Sequence, residues 1–500
     1  MEPREPSIHN NDFLATCPGF SPAHIPKLAL LALLCVPLQD SPDKALDRLR
    51  SCMNEGRFVE GRAVAGLIVQ KYPGTSAAEA ARPYLEDNAF LTMAPLEFRG
   101  PMANRVDLTV MADGLEYDDR SQKAWQREAE TDFKALFKSE VLQEYESYFN
   151  LFRAQVASKE FRLNKRDGPA VTYFKGRESE GELFVERSAA REVAGMTGSN
   201  DRLALVQVRP GGQDHGASRL GVAIFGSPQP SPASILHAFG HAFAGLADEA
   251  SSQRGWGGMD RSKKDPPPIP EAPNVSDSKD LERVPWAHWL KAKSEGDKRA
   301  ARVGLLEGAA LRPQRVWRPV DESLCVMNSG TNFCPVCREV VVLLIYSYVR
   351  PIDGGLPSDK VITVEAGAGV ELWVQPMKPA TRRLAVGWIV DKAEGVRPGA
   401  DAEGKAGDEG TLKKRLRCGD GAPGLRRGEG QNWRMPKGET FDGDARKETD
   451  RARESFTVNN TKLAPGRYRI TAVVRDMTEW VLRDTQNLLV DWRTWVVEIK

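Results

Sequence analysis

The run Leu236-His237-Ala238-Phe239-Gly240-His241-Ala242-Phe243-Ala244-Gly245-Leu246-Ala247-Asp248-Glu249 constrains this chain more than any other stretch. Two histidines four residues apart share one face of a helix, so both imidazoles can grip one metal ion. Gly245 lets the helix end, and the carboxylates Asp248 and Glu249 arrive just past it. A third ligand is thus delivered by the returning chain. In the motif with this histidine spacing, the next residue after the first histidine is a glutamate that takes a proton from metal-bound water. Here it is Ala238, whose methyl group accepts no proton. The stretch is built to hold zinc and lacks the general base.

Five hundred residues exceed a single hydrophobic core, so several domains are expected. The 70 basic and 69 acidic side chains leave a net charge of +1, which gives no pull toward nucleic acid or a membrane surface. Seven cysteines are too few for a dense disulfide scaffold. Lys27 is followed by an apolar run from Leu28 to Leu38, about eleven residues long, too short to span a bilayer and right for a signal-peptide core. Residues 1–39 therefore read as a signal peptide whose acidic side chains and prolines make a poor n-region. Its removal near Gln39 leaves no integral membrane span, and the mature chain is expected to be secreted or in the cell envelope.

Residues 40–92 carry apolar stripes through Leu46, Leu49, Phe58, Val64, Leu67 and Ile68, with a break at Lys71-Tyr72-Pro73-Gly74-Thr75. This reads as a single tetratricopeptide-like helical hairpin, too short for a solenoid. From Asn104, strands are expected at Arg105–Met111, Tyr148–Ala154, Leu203–Val208 and Gly221–Phe225, with a polar helix from Ser121 to Lys138. Strands alternating with helices give an α/β layer beneath the histidines. Asp265-Pro266-Pro267-Pro268-Ile269-Pro270 reads as an extended surface loop. From 360 to 500 the pattern alternates in short strands, as in an immunoglobulin-like β-sandwich. The glycine- and charge-rich stretch near 393–454 reads as a disordered excursion, and its basic cluster Lys413-Lys414-Arg415-Leu416-Arg417 as a solvated loop.

The central region, roughly 100–350, resembles the IgA-peptidase family of zinc metallopeptidases, a metzincin-like group named after bacterial enzymes that cut immunoglobulin A. The resemblance rests on Val106-Asp107-Leu108 with Asp113-Gly114, on Tyr148-Phe149-Asn150, and on the His237–Glu249 run. It extends through Pro273-Asn274-Val275, Trp286-Ala287-His288-Trp289, Glu307-Gly308-Ala309 with Trp317-Arg318-Pro319, Cys325-Val326-Met327 and Phe333-Cys334-Pro335-Val336-Cys337. It implies a metzincin-like α/β zinc-peptidase domain over 100–352 within a multidomain α+β chain. His237 and His241 would be nitrogen ligands of Zn2+. Metzincins place a glycine three residues after the second histidine and a ligand three further on; those positions are Ala244 and Ala247, with Gly245 and Asp248 one residue later. Asp248 is thus the third ligand, as in this family's Gly-Leu-x-Asp-Glu ending, with Glu249 the alternative. Met327 matches the Met-turn, an apolar floor under the histidines. Val340-Val341-Val342-Leu343-Leu344-Ile345 reads as a strand on β-branching, whereas the resemblance implies the closing helix of the domain.

Cys334-Pro335-Val336-Cys337 has metal or redox spacing, but no second such pair completes a structural zinc site. In an exported protein a disulfide joining Cys325 to Cys334 or Cys337 is the simplest assignment. Ala250 and Asn328 also depart from the family, which has tyrosine after Asp-Glu and commonly arginine after the Met-turn methionine. Loss of a positioned general base costs about 10²- to 10⁴-fold in rate. The expected protein is therefore a peptidase homologue with lost or impaired hydrolysis that binds peptides or protein surfaces. The alternative is an active zinc-dependent endopeptidase using a substitute base, for which His215, His288 and Glu249 are the candidates.

Overall fold

The computed structural model describes residues 40–161, 171–179, 182–209, 216, 218–219, 221–226, 231–251, 269–365, 367–392, 439–441, 454–459 and 463–500. The expected signal peptide, His215, most of the proline-rich loop and the basic cluster lie outside the described residues, as does most of 393–454. Helix α1 (Pro42–Asn54) opens on Ser41, whose hydroxyl accepts from the Lys44 amide, with proline in its first turn. Helix α2 (Phe58–Lys71) and the short α3 (Ser76–Ala81) follow, with Thr75 capping α3. Leu49, Met53, Phe58, Val64 and Ile68 form a common core that also takes in Ala89, Leu91 and Ala157 of the neighbouring sheet.

That sheet runs β1-β3-β2-β6-β7. Its members are β1 (Ala89–Glu97), β2 (Val106–Asp113), β3 (Phe149–Ala157), β6 (Leu203–Val208) and β7 (Val222–Phe225). Strands β3, β2, β6 and β7 pair in parallel, and β1 closes the edge antiparallel to β3. The sheet thus begins at Ala89, earlier than the opening at Asn104 expected from the pattern. Pro95 and two register slips sit in β1, which an edge strand tolerates because one side needs no ladder partner. Helices α4 (Asp119–Leu136) and α5 (Glu140–Glu144) lead from β2 to β3. A ribbon of β4 (Arg177–Ser179) and β5 (Glu182–Phe184) precedes α6 (Arg187–Gly195).

Every residue of β2, β3, β6 and β7 is buried, because helices cover both faces. Leu203 and Leu205 face one core with Trp125 of α4, while Ala204, Val206 and Val208 face the other with Ala190 and Val193 of α6. The first core also receives α7 (Pro232–Ala244), which carries both histidines and lies directly after β7. Helix α8 (Ala287–Ser294), the ribbon β8 (Leu306–Ala309)/β9 (Arg312–Arg318) and helix α9 (Pro335–Tyr348) complete this part. The β-branched run 340–345 is therefore helical. Pro335 starts α9, and Val341, Val342 and Ile345 are buried in the core, so packing overrides the local preference.

Two sheets follow, β10 (Ile352–Leu356)-β12 (Gly369–Pro376)-β15 (Glu454–Asn459) and β11 (Val361–Val364)-β17 (Val490–Ile499)-β16 (Gly466–Arg475)-β13 (Ala385–Lys392)-β14 (Glu439–Phe441). Leu372, Val374 and Val458 from the first share a core with Trp388, Ile470, Val474 and Trp495 from the second. The strand at 439–441 pairs with β13, so this part of the expected excursion is ordered sheet. Buried polar contacts weld the sheets to the central layer. Arg105 grips Asp353 at 2.6 and 2.8 Å. Arg382 reaches Glu144 of α5 at 2.9 Å and Asp476 at 3.0 Å, and the hydroxyls of Tyr145 and Tyr346 donate to the same Asp476 carboxylate.

Candidate functional site

Ser231 accepts from the Ser234 amide at 3.0 Å and Pro232 opens the first turn of α7. Gly245 ends it at φ 61°, a left-handed conformation that glycine adopts at no steric cost. The chain then turns back, and Asp248 meets the two imidazoles. His237 Nε2 and His241 Nε2 are 2.8 Å apart, and Asp248 Oδ1 lies 3.2 and 3.4 Å from them. Three donors bound to one tetrahedral zinc ion at about 2.0–2.1 Å would stand roughly 3.3 Å apart.

The protons around this triangle fix its chemistry. His237 Nδ1 lies 2.9 Å from the carbonyl of Val326, and His241 Nδ1 lies 2.6 Å from that of Leu246. A carbonyl only accepts, so each Nδ1 carries the hydrogen and each Nε2 presents a lone pair. Two lone pairs and a carboxylate then converge on one point, a repulsive arrangement unless a cation or a proton stands among them. Burial works against the charged forms of His241 and Asp248. The pair nevertheless attracts: Asp248 holds the His241 imidazolium above its ordinary range, and the two imidazoles hold the Asp248 carboxyl far below its own. The donor set suits a divalent metal of intermediate softness, with hydrogen-bonded imidazoles and one balancing carboxylate.

A packed floor sits beneath. Met327 is fully buried, and a Cβ added to Gly240 would come within 2.7 Å of its sulfur and 3.0 Å of the Phe333 ring. The absence of a side chain at Gly240 is what admits this methionine so close to the helix. The segment that delivers Asp248 is clamped from several sides. Asn274, fully buried, accepts from the Ala247 amide at 2.9 Å and donates to the Ala247 carbonyl at 2.8 Å. Ala310 and Leu311 donate to the carbonyls of Asp248 and Ala250. On the other side, the Glu249 amide donates to Met327 and the Asn328 amide group to the Glu249 carbonyl. Hydrogen bonds thus alternate sides along the segment as in a strand, and consecutive side chains alternate too.

That alternation corrects the reading of Glu249 as an alternative third ligand. Asp248 joins the histidines, with 26% of its side chain exposed, whereas Glu249 is 0% exposed and turns away from them. The Glu249 Oε1 atom accepts from Asn274 at 3.0 Å and from the Cys337 thiol at 3.0 Å. Burial pushes the Glu249 carboxyl well above its ordinary range. It is not in place to take a proton from the histidine site. The disulfide expectation is also not met: Cys325, Cys334 and Cys337 are free, buried thiols, with Cys325 Sγ 3.7 Å from Cys337 Sγ. The Cys325 and Cys337 sulfurs stand well beyond the roughly 2.05 Å of a disulfide bond, and all three thiols lie close to Glu249. His288 is occupied as well, its Nε2 2.6 Å from Glu339, a buried carboxylate that also accepts from Trp289 and from the amides of Leu482 and Arg483. Ala238 is 1% exposed and belongs to the core around α7. Asn274 is the residue that sequence reasoning left without a role; its place in Pro-Asn-Val downstream of the carboxylates was the available signal.

A histidine pair on a helix, joined by a carboxylate from the returning chain over a methionine floor, is the arrangement of a metallopeptidase-like protein. Residues 94–296 match the family model described as IgA Peptidase M64, and this region of the chain is similar to that family. The match contains His237, His241, Asp248 and Asn274 and ends before Met327 and the three cysteines, which the fold brings in. A comparison with curated proteins finds no match.

Proposed function

We propose that the protein is an exported, zinc-binding peptidase homologue whose hydrolysis is lost or strongly impaired, and that it binds peptides or protein surfaces at the histidine helix. The observation that carries this is the pairing of a complete triangle, His237, His241 and Asp248, with Ala238 at the position of the proton acceptor. A zinc ion held there supplies Lewis acidity toward a carbonyl or water oxygen. The chain's own residues orient and balance it. The Val326 and Leu246 carbonyls fix both imidazole tautomers, and Asp248 contributes the negative charge. Two of the candidate substitutes are engaged elsewhere: Glu249 faces the cysteines and His288 is bound to Glu339.

The remaining parts of the reading have their own support. Met327 beneath Gly240 favours a metzincin-like domain. The two sheets sharing one core favour an immunoglobulin-like β-sandwich, which would position the domain or attach it to a surface. Helices α1 and α2 favour a tetratricopeptide-like hairpin serving as a prop, because an array needs about three repeats. The apolar run after Lys27 favours export to the envelope or beyond, and no helix among the described residues is long and apolar enough to cross a membrane.

The test is incubation of the unaltered chain with a mixed protein substrate in the presence of zinc, with and without a chelator. No chelator-sensitive cleavage is expected. Cleavage that the chelator abolishes would refute the loss of hydrolysis and return the protein to the active endopeptidases.

A further inference from the structure

Behind the histidine triangle lies a second cluster of metal-ligating groups. The ligand atoms of Glu249, Cys325, Cys334 and Cys337 all lie within 4.8 Å of one another, and all four residues are buried. They come from three separate places in the chain: the segment after α7, the Met-turn, and the start of α9. We propose that these four side chains hold a second metal ion, a structural zinc, distinct from the ion of the histidine site.

The distances suit it. Around a tetrahedral zinc with bonds of about 2.3 Å to sulfur and 2.0 Å to oxygen, sulfur atoms stand roughly 3.8 Å apart and sulfur and oxygen roughly 3.5 Å apart. Cys325 Sγ and Cys337 Sγ are 3.7 Å apart, and Glu249 Oε1 is 3.0 Å from Cys337 Sγ and 3.9 Å from Cys334 Sγ. Burial pushes the Cys325 and Cys337 thiols up, and the local backbone works the other way: Cys334 is the N-cap of α9, Cys337 lies in its first turn, and the Cys334 amide points at Cys325 Sγ from 3.5 Å.

The carboxylate is the independent observation. Glu249 is 0% exposed, and its Oε2 has no hydrogen-bond partner. Its neighbours are one amide and thiols, with no arginine or lysine among its contacts. Burying such a group is costly unless it is paired or bound to a metal. A disulfide would join two of the sulfurs and leave the third and the carboxylate without purpose, whereas one ion uses all four. Three sulfurs and one oxygen with every position filled by protein suit zinc in a structural role, with no open site for water. Binding releases the protons of the coordinating groups and changes no oxidation state.

Such an ion would staple the Met-turn and α9 to the residue next to Asp248. Dependence between the sites should then run one way: loss of the thiolate site loosens the histidine site, but not the reverse. The experiment is zinc analysis of the full chain together with cobalt substitution, for the unaltered protein, the His237→Ala/His241→Ala variant and the Cys334→Ser/Cys337→Ser variant. Two zinc ions per unaltered chain are expected. The histidine variant should keep one, and its cobalt form should keep the thiolate-to-cobalt charge-transfer absorption; the cysteine variant should lose that absorption. Absence of the absorption from the cobalt form of both the unaltered chain and the histidine variant would overturn the proposal, without needing the cysteine variant to fold. A chain mass two hydrogens low, mapped to a bond among Cys325, Cys334 and Cys337, would overturn it as well. If the histidine reading alone fails, the unaltered chain and the histidine variant hold the same single, thiolate-bound zinc, so the two failures are distinguishable.

Discussion

Asp248 and Glu249 are neighbours in sequence and live in different surroundings. Asp248, itself partly exposed, reaches one buried and one partly exposed imidazole, and Glu249 reaches a fully buried nest of thiols. One cluster has nitrogen and oxygen donors and solvent on one side, as a site for binding or chemistry needs. The other has sulfur donors and no solvent, as a structural fastening needs. A single clamped segment serves both, so its backbone must be held in register more tightly than either side chain alone would require. Asn274, Met327, Asn328, Ala310 and Leu311 supply that hold.

The sharpest way to separate the two regions is to truncate each carboxylate. Glu249→Ala removes a buried side chain from the fastening and should cost about 3 kcal/mol of stability, read by denaturant unfolding. Asp248→Ala should cost below about 1 kcal/mol in chelated protein, yet abolish metal binding at the histidines. Equal losses from the two variants would erase the distinction. Next in size is Asn274→Ala. It strips partners from the buried amide and carbonyl of Ala247 and from Glu249, for about 2 kcal/mol. It should weaken metal binding at both clusters, and an effect confined to one would show that the segment does not couple them.

The smallest effect is one of pH. In chelated protein, His241 has its folded pKa raised above the ordinary value by Asp248, although burial opposes this. The stability this contributes is complete below about pH 6.5 and is lost as pH rises through the raised value, at no more than about 1.4 kcal/mol per unit. With zinc bound, protons compete with the metal, so affinity falls as pH drops through the same window. Unfolding midpoints of the chelated and zinc-loaded forms should therefore slope in opposite directions as pH rises above about 6.5. Parallel slopes would mean that the triangle does not exchange a proton for a metal.

The histidine helix was legible because its signals are local: a four-residue histidine spacing and Gly245 at the stop, to which the structure adds the Ser231 cap and Pro232 at the start. The strands of the central sheet were legible from their apolar patterning between helical stretches. What escaped was set by distant contacts. Strand β1 hid behind Pro95, which only an edge position tolerates. The turn between β8 and β9 places Ala310 and Leu311 at positive φ with no glycine at either position to announce it. The thiol cluster escaped because spacing rules look for a second nearby cysteine pair, whereas its other ligands, Cys325 and Glu249, lie 9 and 85 residues upstream of Cys334. The run 340–345 read as strand by propensity and became helix by packing, as the family resemblance implied.

The most direct measurement is peptide-bond hydrolysis by the Ala238→Glu variant beside the unaltered chain, both at matched zinc content and each with a chelator control. A gain of about 10²-fold or more, abolished by the chelator, is the result expected if the site lacks only its proton acceptor. Chelator-sensitive cleavage by the unaltered chain at the same rate as the variant would contradict it.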